Sequence, residues 1–399
     1  MKTLFLKAFV ILSLFFPAFY STFNEEYKME YYAVFAVAYG AAFFYMLFQL
    51  VEGKREKRQK LLTGCAGVLL LYNVLSLYMN IRYLHWYGDQ INYTLAFLFF
   101  LCLCWHQDSL GEKGNNLVRF FLRCAVLSNL LSIIYFLMGY TSLIICNNHV
   151  YLSRLPEDYY EYRFYWVYSH KSTYALMLVA FMAVCIRFRA LFRNRLAWFC
   201  SMAVFLTNLF LTHSWTGFGA AGLMFAGACL DEVDWSRFHW RRKYLLWMFP
   251  AVVLGGVGGK LLLGERDLLS LGGRLEIWQG AIRTIAENPQ GWGLKFTEVL
   301  FQVHSGWDTN NAHNVFLNAM LRDSIPVGIC FIVLFLLIAV YSLRKSRSFL
   351  GAGMWLAFFL LLNMDYSMLN YEAGMVLFVV YLVCVYPYGK LAGREKEKC

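Results

Sequence analysis

Arg274 and His313 are the two residues whose type and setting point most directly to chemistry. Arg274 follows Gly272-Gly273 and opens a stretch of helical periodicity, so it falls in a first turn, where a cation opposes the helix macrodipole. An anion would compensate both the guanidinium and the free N–H groups of that turn. The guanidinium fork suits the two-point contact that a phosphate pair offers. The competing reading is a solvated arginine paired with Glu276 or Glu287. His313 also falls at a helix start, where the dipole disfavours imidazolium and leaves a neutral ring able to accept a proton, as a general base must. Its competing reading is a capping or interfacial histidine. His304, beside Ser305-Gly306-Trp307, reads as an exposed loop residue.

The elements that must hold these two residues are legible on either side of them. From Arg274 to Glu287 the apolar residues Leu275, Trp278, Ile282 and Ile285 recur at helical spacing, with Arg274, Glu276, Gln279, Arg283 and Glu287 on the other faces. That pattern predicts an amphipathic helix at the membrane interface, started by the glycine pair and stopped by Asn288-Pro289-Gln290-Gly291. A second short helix is predicted from about His313 to Arg322, capped by Asn310 or Asn311. Pro326 then opens the next apolar stretch, where its missing N–H costs little.

The rest of the chain is built to lie in lipid. Of 399 residues, 60% are hydrophobic and 15% charged, and the mean hydropathy is +0.49, too apolar for a globule with a polar surface. Stretches such as LLLYNVLSLYM and GICFIVLFLLIAV are apolar on every face, which predicts an all-α, polytopic helical bundle and not an alternating outer-membrane barrel. Spans are read at 4–20, 31–51, 61–81, 91–105, 117–146, 169–186, 196–212, 214–230, 244–259, 325–343, 349–364 and 373–388, about twelve crossings in one membrane domain over residues 1–399.

The net charge of +11 follows this topology and does not point to nucleic acid. KREKRQK after Val51, the arginine-rich run from Arg187 to Arg195, SRFHWRRK, RKSR and the C-terminal GKLAGREKEK fall on one face, which collects roughly 25 Lys and Arg and is therefore cytoplasmic, with both termini. Two connections on the opposite face exceed a turn: 147–168, with Arg154 and Arg163 and Lys171 just beyond it, and 264–323, which holds Arg274 and His313. The first apolar stretch ends in FFPAFYSTF without a small-residue cleavage site, so it reads as a retained span. The 11 cysteines lie almost wholly in spans and read as packing residues, and no Cys-x-x-Cys or His-Glu-x-x-His pattern of a metal site occurs. Near-absence of ionisable residues at membrane depth argues against an ion-coupled transporter. His213-Ser214 beside Gly217, Gly219 and Gly222 has a superficial look of an intramembrane serine hydrolase, but small residues in a span more often permit close helix packing.

The segments GGRLEIWQGAIRTIAENPQGWGLKF and NNAHNVFLNAMLRDSIPVGICFIVLF resemble the O-antigen ligase and polymerase family of bacterial envelope glycosyltransferases. The likeness rests on Gly-Arg-x-x-x-Trp, on Pro289, Gly291 and Gly293, and on Ala-His-Asn before an apolar helix. LTHSWTGFGAAG is similar to the family's Thr-x-Ser-Arg-x-Gly region. About a quarter of the chain carries the match, densest over 272–334. Trp215 stands where the family commonly has arginine, and Ser324 and Val327 stand at usual glycine positions, with Gly328 one place late.

The resemblance implies a GT-C-like membrane enzyme of the bacterial cytoplasmic membrane, without metal or cofactor. Its donor would be a glycan on undecaprenyl pyrophosphate, its acceptor a glycan or another lipid-linked acceptor, and its companions in the bilayer a flippase and a chain-length regulator. His313 would accept the acceptor hydroxyl's proton and Arg274 would neutralise the pyrophosphate leaving group. Arg283, Arg154, Arg163, Lys171 and Asn314 would contact phosphate or sugar. A polymerase is the first expectation, a ligase or protein O-oligosaccharyltransferase the second, and a lipid-linked glycan flippase the non-enzyme rival.

Overall fold

A computed structural model describes residues 2–15, 30–52, 60–83, 88–110, 113–146, 149–154, 164–168, 170–233, 273–293, 296, 299, 311–364 and 372–387. The expected span at 244–259, together with Arg163 and His304, lies outside the described residues. The chain is helical: α1 (Lys2–Phe15), α2 (Glu30–Glu52), α3 (Lys60–Tyr83), α4 (Gly88–Trp105), α5 (Lys113–Leu137), α6 (Lys171–Arg187), α7 (Arg195–Leu211), α8 (Trp215–Asp231), α9 (Arg274–Glu287), α10 (Val315–Asp323), α11 (Ile325–Ser346), α12 (Phe349–Met364) and α13 (Ala373–Val380), which runs on into a π turn (Tyr381–Val385). Among the described residues, α3, α5 and α11 are long and apolar enough to cross a membrane, and several shorter apolar helices accompany them. The 22 residues of α11 reach about 33 Å at ~1.5 Å each, against a hydrocarbon core of about 30 Å.

One expected span is corrected. The stretch 117–146 is not a single helix, because α5 ends at Leu137 and Gly139, at φ 86°, turns the chain into strand β1 (Tyr140–Cys146). Antiparallel β2 (His149–Arg154) completes a hairpin, with Leu143 opposite Leu152 and Tyr140 opposite Arg154. The run after Gly139 is rich in Ile, Leu and Thr, which suits a pleated strand as well as a span.

The chain divides into two compact units, and two of the four divisions fall inside α4 and α8. In the unit of residues 1–57, 95–217 and 371–399, α1 is tied to α5 by Ser128 Oγ donating to the Leu14 carbonyl at 3.0 Å. A buried polar cluster links α5, α6 and α7: Tyr174 donates to Asn129 Oδ1 at 2.7 Å, Asn208 Nδ2 to the Asn129 carbonyl at 2.9 Å, and Ser132 to Asn208. Every polar atom paired in this way avoids the cost of lying unbonded in an apolar interior.

The unit of residues 58–94 and 218–370 contains α3, α9, α10, α11 and α12. Helices α8 and α12 touch at glycine: a Cβ on Gly353 would lie 2.7 Å from the Leu223 carbonyl, and one on Gly227 would collide with the Phe349 backbone. Asp231 at the end of α8 accepts from the Phe349 and Leu350 N–H groups at 2.6 and 2.8 Å, capping α12 with a carboxylate where the dipole favours one.

Candidate functional site

Helix α9 has the predicted bounds: Gly273, at φ 81°, precedes it and Asn288 ends it. Its buried stripe is not the predicted one. Ile277, Gly280, Ala281, Thr284 and Ile285 face inward, while Leu275 and Ile282 are exposed. The small residues Gly280 and Ala281 let α9 approach the second helix closely. Ala281 and Ile285 pack with Phe296, Ala312 and Leu321, and Trp292, Leu317, Met320 and Ile325 surround them.

The second helix is also shifted from its expected bounds. Helix α10 begins at Val315, capped by Asn314, whose Oδ1 accepts from Phe316 and Leu317 N–H at 3.0 and 3.1 Å. Asn311 has a different task, accepting the His313 N–H at 2.7 Å. His313 therefore stands just before the helix at φ 48°, the left-handed region that costs a β-carbon residue about 1 kcal/mol or more and persists only where its surroundings enforce it.

Those surroundings are explicit. The Ala312 N–H donates to Asn318 Oδ1 at 2.9 Å, and the Ala312 carbonyl accepts Trp278 Nε1–H at 3.0 Å. On the other side, Asn314 Nδ2 donates to Asn363 Oδ1 at 2.8 Å, and the adjacent Met364 carbonyl accepts Arg274 Nε–H at 2.5 Å. Arg274 and Trp278 lie one turn apart on α9. A closed circuit thus runs from Arg274 through Trp278, Ala312, His313, Asn314, Asn363 and Met364 back to Arg274, fixing the two candidate residues in one frame. Both side chains are half-buried. Arg274 brings a guanidinium fork to this frame and His313 an imidazole.

A second device holds the far end of α10. Gly291, at φ 85°, lies so close that a Cβ would be 2.8 Å from both the Arg322 carbonyl and Ser324 N. The Trp292 N–H donates to the Leu321 carbonyl at 2.7 Å and the Ile325 N–H to the Pro289 carbonyl at 3.0 Å. Arg322 and Asp323, each 2% exposed, form a two-point ion pair at 2.8 and 2.9 Å, and Gln90 Nε2 donates to the same carboxylate at 2.5 Å. Sequence reasoning missed this pair, and its only signal was an Arg-Asp step at a helix end.

The remaining candidates separate. Arg283 is exposed on α9 and Asn314 is buried in the circuit. Arg154 is exposed at the end of β2, and Lys171 is half-buried at the first position of α6, both in the other compact unit. Ser214 is occupied structurally: its Oγ accepts the Gly217 N–H at 3.1 Å, while a Cβ on Gly217 would lie 2.7 Å from that of Ala175. Trp215 is the first residue of α8, and Ser324, at φ 132°, caps α11 by accepting the Val327 N–H. Among the described residues, no three His, Cys, Asp or Glu side chains gather as a metal site would require. No family model and no curated protein sequence matches the chain.

Proposed function

We propose that the protein is a membrane glycosyltransferase that joins glycan units carried on undecaprenyl pyrophosphate, with His313 as general base and Arg274 as the cation at the leaving pyrophosphate. The observation that carries this reading is the hydrogen-bonded circuit that ties an arginine fork and a strained, half-buried histidine to one frame. An acceptor hydroxyl attacks the anomeric carbon as its proton passes to the imidazole. The C–O bond to pyrophosphate breaks with inversion, and the departing charge falls to Arg274. Arg283 on the exposed face of α9, Asn314 in the circuit, Arg154 and Arg163 on the other long connection, and Lys171 at the start of α6 are the proposed phosphate and sugar contacts.

The proposal includes the topology that the charge distribution supports: about twelve crossings of a bacterial cytoplasmic membrane, both termini inside and 264–323 outside. A polymerase, working with a flippase and a chain-length regulator, is the preferred member of the class. The test uses the full chain in nanodiscs with its host's undecaprenyl-pyrophosphate-linked oligosaccharide. A ladder of repeats that vanishes in His313→Ala and Arg274→Ala establishes polymerisation at this site. A single shift that needs an added acceptor identifies a ligase or oligosaccharyltransferase. Export of single units that survives both substitutions overturns the enzyme reading in favour of a flippase.

A further inference from the structure

The connection between α6 and α7 carries Arg187, Arg189, Arg193 and Arg195 within nine residues, and it is built, not loose. Phe188 is fully buried, and residues Arg189–Leu191 form a 3-10 turn. Asn194 caps α7 by accepting the Ala197 N–H at 2.7 Å. The Arg189 guanidinium lies over the Trp198 ring at 4.8 Å, and Trp198 is itself fixed by donating Nε1–H to the Cys185 carbonyl at 3.1 Å. Tyr386 meets Phe188 with ring centroids 6.1 Å apart, its hydroxyl donates to Asn115 Oδ1 at 3.3 Å, and its phenol fills the space a Cβ on Gly114 would need. That phenol brings Lys113, the first residue of α5, to the same end of the unit.

Glu112 precedes Lys113, but residues 113–154 and 164–230 contain no Asp or Glu, so nothing acidic answers the four arginines along their own elements. Among the described residues none of the five makes an ion pair, and Arg187 Nε is a buried donor that takes no hydrogen bond. Lys113 and Arg195 also stand at helix starts, where the dipole disfavours a cation unless an anion is present. Half-buried Leu191 and Phe192 and exposed Leu196 put apolar surface beside the charges. An anion attached to hydrocarbon satisfies every one of these features at once.

We infer that the 187–195 connection, with Lys113, is a binding site for the phosphate headgroup of an anionic phospholipid. Guanidinium groups of Arg187 and Arg189 take the phosphodiester, Arg193 and Arg195 add attraction, and the apolar residues meet the acyl chains. The inference is independent of the chemistry proposed for Arg274 and His313.

The test is native mass spectrometry of the full chain released from nanodiscs holding equal phosphatidylglycerol and phosphatidylcholine. Wild type is expected to retain phosphatidylglycerol, with retention falling as salt rises. Arg187→Gln with Arg189→Gln should lose roughly fivefold per arginine removed, while Arg344→Gln with Arg347→Gln on another basic connection should change little. An equal loss from both pairs would mean diffuse charge and would overturn the site. Equal retention of the two lipids by wild type would overturn it without any variant, as would displacement of the lipid by excess inorganic phosphate, which would mark a free-anion site.

Discussion

Asn314 and Asn363 join the start of α10 to the end of α12 through one side-chain hydrogen bond of 2.8 Å, and the next residue, Met364, is where Arg274 is anchored. The asparagine pair therefore sets the distance between the two residues to which we assign chemistry. Replacing Asn363 with Leu should leave the protein folded and lower kcat by about 10- to 100-fold with a smaller change in KM, the range expected for lost alignment. Asn363→Asp, which keeps an accepting oxygen, should restore most of it. Steady-state transfer assays on both variants check this, and an unchanged kcat in Asn363→Leu would remove the circuit from the mechanism.

Gly291 tolerates no side chain. A Cβ would lie 2.8 Å from two backbone atoms of the Arg322–Ser324 turn, at a positive φ that L-residues disfavour. Gly291→Ala should destabilise by about 2 kcal/mol or more and lower the unfolding midpoint, measured by thermal denaturation in detergent.

Asp323 has a charged partner at hand and is almost wholly buried. Asp323→Asn should cost about 3–5 kcal/mol by leaving Arg322 buried without its counter-ion. Replacing both residues with apolar ones of similar volume should recover much of that loss. A double variant no more stable than Asp323→Asn would show that the pair contributes more than mutual neutralisation.

Tyr168 gives a pH signature. Burial, then the neighbouring Tyr174 and Glu372, hold its phenol well above the usual value of 10. The folded state keeps the proton while the unfolded state releases it near pH 10, so this contribution to stability is intact below that pH and declines as pH rises toward the folded value. Tyr168→Phe should flatten the alkaline limb of a stability-against-pH curve, and an unchanged limb would assign it to other groups.

Local signals in the sequence foretold local structure. Gly273 and Asn288-Pro289 delimit α9 because glycine and proline act through their own backbone. Which face of α9 turns inward depended on Gly280 and Ala281, whose small size matters only against a partner. Asn310, Asn311 and Asn314 are all competent caps, and the choice of Asn314 follows from the turn at His313, which no propensity predicts. The strand after α5 was hidden because hydropathy runs unbroken across Gly139. Gln90 and Asp323 are 233 positions apart, a pairing that only the folded chain contains. The residues assigned chemistry were visible by type. The circuit that joins them was not, because it is assembled by Trp278, Asn318 and Asn363, none of which carries charge.

The glycine contact between α8 and α12 makes a pivot. From Gly353 to Met364 is eleven residues, an arm of about 16 Å. A tilt of about 5° at the crossing would carry the Met364 carbonyl, and Arg274 with it, by about 1.4 Å, a displacement of the size that costs an active site about a hundredfold. The other end of the same rod is held by the Asp231 carboxylate. Any event that loosens that cap would be felt as misalignment at Arg274, about three turns of helix beyond the point where the rods touch at Gly227 and Gly353.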